Sequence, residues 1–171
     1  VRTLLEMSNL QSVSRSDEIE LAPLVDEILT DLTTLAEQKN ITLHQNCEDV
    51  HMIGSDTLIY RLLFNLIENA IKYNRPDGSV QVCITQEPEK LLILVSDTGR
   101  GIPEEYQQSI FQPFFRVDKS RSRTFGGAGL GLALVWEIAA LHGGSVRVAE
   151  SSDSGTTIAA ELPRSGNHAA D

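Results

Sequence analysis

The chain has 171 residues, enough for one domain with a sizeable core, and 41% of them are apolar, which argues against a disordered or fibrous chain. With 14 Lys and Arg against 24 Asp and Glu the formal charge is −10, which argues against sequence-independent binding to a nucleic-acid backbone or an anionic membrane. An anionic ligand would need a local positive patch.

Leu4, Leu5, Met7 and Leu10 lie at near-helical spacing until Ser12, Ser14, Ser16 and Asp17 break the pattern, which predicts the tail of a helix that starts upstream. Leu21, Leu24, Val25, Ile28, Leu32, Leu35 and Ala36 form one stripe, predicting an amphipathic helix from Leu21 that Asn40 stops. Short apolar or alternating runs at 41–43, 51–53, 79–85, 91–96, 145–149 and 156–162 predict strands, the last four forming two hairpins. Between them, Ser55 can cap and Asp56 can favour the first turn of a helix reaching Tyr73, which Asn74, Arg75, Pro76, Asp77 and Gly78 end. Another helix is predicted over about 129–141, closed by Gly143 and Gly144. The interval 102–126 has little periodicity, so it reads as a functional lid or a mobile stretch, and 164–171 reads as a tail. The longest apolar run, Gly129 to Trp136, falls far short of the roughly 18 residues that span a bilayer. Nothing at the start resembles an export signal. The element pattern predicts an α/β fold with helices on one face of a mixed sheet.

On the helix over 55–73, Asn65, Asn69 and Lys72 fall together at one border of the apolar stripe. An amide oxygen there can ligate Mg²⁺ and a lysine can meet phosphate. The alternative is two asparagines satisfied by neighbouring backbone beside a solvated lysine. Asp97-Thr98-Gly99-Arg100-Gly101-Ile102 directly follows an apolar strand, placing a carboxylate where the chain turns and a ligand amine could donate to it. The same run also suits an ordinary turn. Gly126-Gly127-Ala128-Gly129-Leu130-Gly131 precedes a helix and supplies backbone amides suited to phosphate, or simply a hinge. It lacks the Gly-Lys-Ser/Thr of a Walker A loop and fits no dinucleotide fingerprint. Arg116, Lys119, Arg121 and Arg123 face only Asp118 between Phe114 and Phe125, a positive patch in an acidic chain or a solvated basic turn. Pro103-Glu104-Glu105 suits the first turn of a short helix. Cys47 and Cys83 lack zinc-site spacing and read as reduced and structural, and the four histidines form no readable triad.

Taken in order, these motifs resemble the catalytic and ATP-binding domain of bacterial sensor histidine kinases, in the GHKL ATPase superfamily. Asn65 to Tyr73 is similar to the asparagine box, and Asp97 to Ile102 to the first glycine box. Ile110 to Arg116 is similar to the phenylalanine box, Gly127 to Leu132 to the second glycine box, and Gly155-Thr156-Thr157 to the closing glycine-threonine element. The resemblance implies an α+β two-layer sandwich. It has a mixed, mostly antiparallel sheet of about five strands, about three main helices on one face, and a flexible ATP lid. Residues 1–15 would be a remnant of the second helix of a dimerisation domain, 16–163 the catalytic domain, and about 102–126 the lid.

By position, the resemblance implies that Asn69 ligates Mg²⁺ and that Asn65 and Lys72 approach the phosphates, with Tyr73 near the adenine. Asp97 would accept from the adenine amino group beside Gly99, Gly101 and Ile102. Arg116 would meet the phosphates, Gly127, Gly129, Leu130 and Gly131 would cover them, and Thr156 would complete the nucleotide site. Asn65, Lys72 and Arg116 would serve catalysis. Two departures stand out: Thr98 where Asn is common, and Ala128 where Thr is common.

The implied function is a protein histidine kinase that binds ATP with Mg²⁺ and yields ADP. It would phosphorylate a histidine on a separate dimerisation domain for relay to an aspartate of a response regulator. Related hydrolases carry a Glu where this chain has Asn65, and an amide cannot take a proton from water. Futile hydrolysis is therefore expected to be slow. The alternatives are a nucleotide-binding interaction module without transfer, and a GHKL-type hydrolase. No histidine here has the phosphoacceptor context, so the chain is expected to be an excised, monomeric, cytoplasmic module. Its parent would be anchored in the membrane, and no contact with nucleic acid is expected.

Overall fold

The computed structural model describes residues 10–113 and 131–165. In chain order the elements are β1 Asp17–Glu20, α1 Leu21–Asp31, α2 Thr33–Gln38, β2 Thr42–Cys47, β3 His51–Gly54, α3 Asp56–Lys72, β4 Ser79–Gln86, β5 Lys90–Asp97, α4 Gly131–Leu141, β6 Ser145–Ser152 and β7 Gly155–Pro163. Single 3₁₀ turns lie at Leu10–Ser12, Glu104–Tyr106 and Ser109–Phe111. Leu4, Leu5 and Met7 of the expected upstream helix lie outside the described residues.

The main sheet has five strands in the order β2-β4-β5-β7-β6, and β1 pairs with β3 in a separate two-stranded ribbon. β2 runs parallel to β4, while β4–β5, β5–β7 and β6–β7 are antiparallel. This is the mixed, mostly antiparallel sheet expected from the sequence. Register places Val82 opposite Val95 and Ile84 opposite Ile93, then Ile93 opposite Ala160 and Val95 opposite Ile158. Those side chains share one face of the pleat, and none is more than 7% exposed. The core therefore lies between this face and the helices. The same register carries Asp97 and Thr156, opposite each other, to the end of that buried face.

The helix α3 forms the centre of the helical layer. Ser55 Oγ accepts from the Leu58 amide, Asp56 sits in the first turn and Lys72 in the last, which suits the helix dipole at both ends. Leu58, Ile59, Leu62, Leu63, Leu66, Ile67, Ala70 and Ile71 are all buried, each Leu or Ile contributing about 2 kcal/mol. α4 packs against it through Leu134, Val135 and Ile138, also buried.

Two elements differ from the sequence expectation. The single helix predicted from Leu21 to Asn40 is two, divided at Leu32. Thr30 and Thr33 donate their hydroxyls to the carbonyls of Asp26 and Leu29, four residues back, a bond that bends helices. Asn40 does stop α2: it adopts φ 56°, and the Asn40 and Ile41 amides donate to Glu37 and Ala36 carbonyls in a Schellman ending. The strand β1 was not expected, because Asp-Glu-Ile-Glu offers one apolar residue, Ile19, which is buried. The start of the aperiodic interval carries two 3₁₀ turns, whose Ile110 and Phe111 are buried, with the Phe111 ring 5.5 Å from that of Trp136.

His142, just past α4, is buried and ties the end of α4 to the start of α3. Its Nε2 accepts from the Ser55 amide at 3.0 Å while Nδ1 lies 2.9 Å from the Ile138 carbonyl. This fixes the neutral tautomer with the proton on Nδ1. Replacing His142→Ala strands the buried Ser55 amide and is expected to cost about 2 kcal/mol in urea denaturation; an unchanged midpoint would show the bridge contributes nothing.

Candidate nucleotide site

The predicted site residues that the structure describes gather at one end of the sheet, from three directions. α3 brings Asn65, Asn69 and Lys72 on its half-exposed border, with Tyr73 at its C-cap, 45% exposed. β5 ends in Asp97, followed by Gly99, Gly101 and Ile102. The β6–β7 hairpin brings Thr156, which is buried. Gly131 opens α4, and its carbonyl accepts from Asn65 Nδ2 at 3.4 Å, joining α3 to the start of α4. Lys72 Nζ lies 3.7 Å from Glu68 Oε1, one helical turn back. Arg116, Gly127, Gly129 and Leu130 lie outside the described residues, as do Lys119, Arg121 and Arg123.

Asp97 is the most constrained of these groups. Its Oδ1 accepts from the Gly99 amide at 2.8 Å and from the Thr156 amide at 3.2 Å. Both bonds go to Oδ1, and Oδ2 takes neither of them. Burial raises the Asp97 pKa, and the two amide bonds only partly oppose that. A desolvated, oriented carboxylate gains strength as a hydrogen-bond acceptor for a ligand N–H.

The glycines around it admit the protein's own backbone. Gly101 has φ 83°, and an added Cβ would lie 2.1 Å from the Ser152 carbonyl oxygen. Gly155 has φ 141°, with its would-be Cβ 1.9 Å from the Asp97 carbonyl oxygen. The turn after β5 and the β6–β7 hairpin therefore pack backbone to backbone, which only glycine permits.

Sequence reasoning missed one residue here. Ser151 Oγ accepts from the Ile102 amide at 2.8 Å and lies 2.8 Å from Thr156 Oγ1. It ties the Asp97 turn to the hairpin, yet a serine in Glu-Ser-Ser-Asp-Ser-Gly carries no signal beyond an ordinary turn.

A cavity of about 900 Å³ opens at the opposite end of the sheet, lined by Lys90, Gly144, Glu161 and Arg164 among others. Two of its charges are paired, Glu161 with Lys90 at 2.7 Å, and Glu161 also meets Arg147 at 2.8 Å. It holds none of the residues above. Cys47 and Cys83 are free thiols, and burial first of all pushes Cys47 up to about 11, far from a reactive thiolate.

The fold is that of histidine kinase catalytic domains. The catalytic domain of histidine kinase ThkA superposes with a TM-score of 0.80 at 26% identity, covering 91% of this chain and 99% of that one. The mycobacterial sensor histidine kinase MprB superposes at 0.76 with 27% identity, covering 86% and 97%. The model of the histidine kinase-, DNA gyrase B- and HSP90-like ATPases matches residues 54–166, and the chain belongs to that family. Sensor histidine kinase RppB of Synechocystis sp. is 34% identical over 169 residues, which cover 95% of this chain and 37% of RppB. Sensor-like histidine kinase SenX3 of Mycobacterium tuberculosis is 34% identical over 167 residues, covering 95% of this chain and 41% of SenX3. The chain thus spans well under half the length of these curated relatives. Among the described residues no helix is long and apolar enough to cross a membrane.

Replacing Ser151→Ala removes the acceptor for the Ile102 amide and the partner of Thr156. It is expected to cost about 1 kcal/mol and to speed hydrogen exchange at the Ile102 amide; unchanged exchange there would mean another group holds the turn.

Proposed function

We propose that this chain binds ATP with Mg²⁺ and passes the γ-phosphoryl group to a histidine of a separate dimerisation domain. That domain would belong to the same, longer kinase, and the phosphoryl group would move on to an aspartate of a response regulator. The observation that carries this is Asp97: a desolvated carboxylate with both amide bonds on one oxygen and neither on the other. Sensor kinase relatives and the family match support the rest. A solved complex of ThkA with response regulator protein TrrA, 26% identical to this chain with a TM-score of 0.74, supports the partner class.

In this mechanism Asp97 Oδ2 accepts from the adenine amino group, with Gly99, Gly101, Ile102 and Thr156 shaping the base end and Tyr73 flanking it. Asn65 and Lys72 meet the phosphates from α3, and Arg116, Gly127, Gly129, Leu130 and Gly131 are assigned to the phosphates by the family resemblance. Lys72, released from Glu68, neutralises charge as the bond from the γ-phosphorus to the bridging oxygen breaks and a bond to the imidazole nitrogen forms. ADP leaves. Asn65 orients but takes no proton, so water is a poor competitor.

Mg²⁺ is assigned to Asn69, whose amide oxygen is a hard donor of the kind that can ligate it. Asn69 would hold the ion, which would offset phosphate charge when bound. We place the chain on the cytoplasmic side of a parent anchored elsewhere in its sequence, monomeric by itself, with no nucleic-acid contact.

The test supplies a dimerisation domain in trans with labelled ATP. Acid-labile phosphohistidine on that domain is expected, and Asp97→Asn is expected to weaken ATP binding by about 1 to 3 kcal/mol. ATP turnover without acceptor would favour a hydrolase instead, and nucleotide binding without any labelling an interaction module.

A pH series gives a second expectation. The acceptor is the ionised carboxylate, and burial raises its pKa above the ordinary 3.8. As pH falls through that raised value Asp97 gains a proton and affinity drops, earlier than a solvated aspartate would allow. Calorimetric titration at descending pH should show this drop, and it should be absent in Asp97→Asn.

A further inference from the structure

Immediately beyond α3, Asn74 is 6% exposed, and both the oxygen and the nitrogen of its amide are hydrogen-bonded. Oδ1 accepts from the Arg75 amide at 2.8 Å and from Thr98 Oγ1 at 2.8 Å, while Nδ2 donates to the Ser79 carbonyl at 2.9 Å. Thr98 Oγ1 in turn accepts from the Ser79 amide at 2.9 Å. The ring closes through three segments: the end of α3, the start of β4 and the turn after Asp97.

The backbone around this ring leaves no slack. A Cβ on Gly78 would lie 2.4 Å from both Asn74 Oδ1 and Thr98 Oγ1, and one on Gly99 would lie 2.6 Å from the Tyr73 carbonyl oxygen. From the far side Lys39 Nζ donates to the Lys72 and Asn74 carbonyls at 2.8 and 2.7 Å, a cation on the negative end of α3. Thr98 is the immediate neighbour of Asp97, and Asn74 lies two residues beyond Lys72 and five beyond Asn69.

We propose that Asn74 and Thr98 are positioning residues for nucleotide recognition. Their hydrogen-bonded pair locks the Asp97 turn to the end of α3, so that the base-reading carboxylate and the Asn69–Lys72 border meet one ligand at a fixed separation. The inference rests on the adenine-reading role given to Asp97 above. If the pair fixes where that carboxylate points, losing it harms recognition of the base's amino group more than binding of the triphosphate.

The experiment titrates the 171-residue chain, with Mg²⁺, against a non-hydrolysable ATP analogue and its inosine counterpart, whose ring carries an oxygen in place of the amino group. The unaltered chain is expected to prefer adenine, and Asp97→Asn to lose that preference. Thr98→Val keeps the shape, removes the hydroxyl with its bonds to Asn74 and Ser79, and is expected to cut the preference about tenfold. Thr98→Ser restores it. Should Thr98→Val not melt cooperatively, Asn74→Ser, too short to reach Thr98, takes its place with the same expectation. Equal losses for both nucleotides, or an undiminished preference, would overturn the positioning role while leaving that of Asp97 intact. No preference in the unaltered chain would overturn the Asp97 role itself, and this inference with it.

Discussion

Two backbone amides, from Gly99 and Thr156, converge on one oxygen of Asp97, and much of the described structure serves to keep them there. The Thr156 amide arrives through the antiparallel pairing of β5 with β7, whose register sets Asp97 opposite Thr156. The Gly99 amide arrives through a turn that closes on the carboxylate two residues back. A carboxylate held in this way and partly withdrawn from water has little freedom to reorient, so a ligand meets an acceptor that is already aimed.

The same economy of motion extends into α3. Its apolar residues are buried between sheet and helices, and its border of amides and ammonium comes to the site without adjustable loops between. The chain carries a large negative charge, yet the groups facing the proposed phosphates are amides and a lysine whose acidic neighbour, Glu68, is partly exposed. An anion can be accommodated locally because the acidic surplus lies mostly elsewhere.

Much of this could be read from residue patterns, and the exceptions have physical causes. α3 was legible because its cap, its charged ends and its stripe agree with one another. The hairpins β4–β5 and β6–β7 were legible because each strand is a short apolar or alternating run and its partner is close in sequence. β1 was not, since three of its four residues are acidic and its pairing partner, β3, lies beyond two helices. The break at Leu32 was hidden because a hydroxyl bonding back four residues leaves the apolar spacing intact. Among the site residues, Asp97, Asn69 and Lys72 stand in recognisable motifs. Ser151 and Asn74 do not: their partners lie 49 and 24 residues away in Ile102 and Thr98, and only the folded chain joins them. Thr98 itself was visible only as a departure from a family pattern, whereas in the fold its hydroxyl closes a ring with Asn74 and Ser79.

The β5–β7 pairing has one further consequence. Asp97 and Thr156 are 59 residues apart, and neither hairpin alone can assemble the amide pair around the carboxylate. A nucleotide that binds there distinguishes the completed domain from every partly folded form. Its binding free energy is thereby added to the stability of the whole sheet, rising with the logarithm of free ligand concentration.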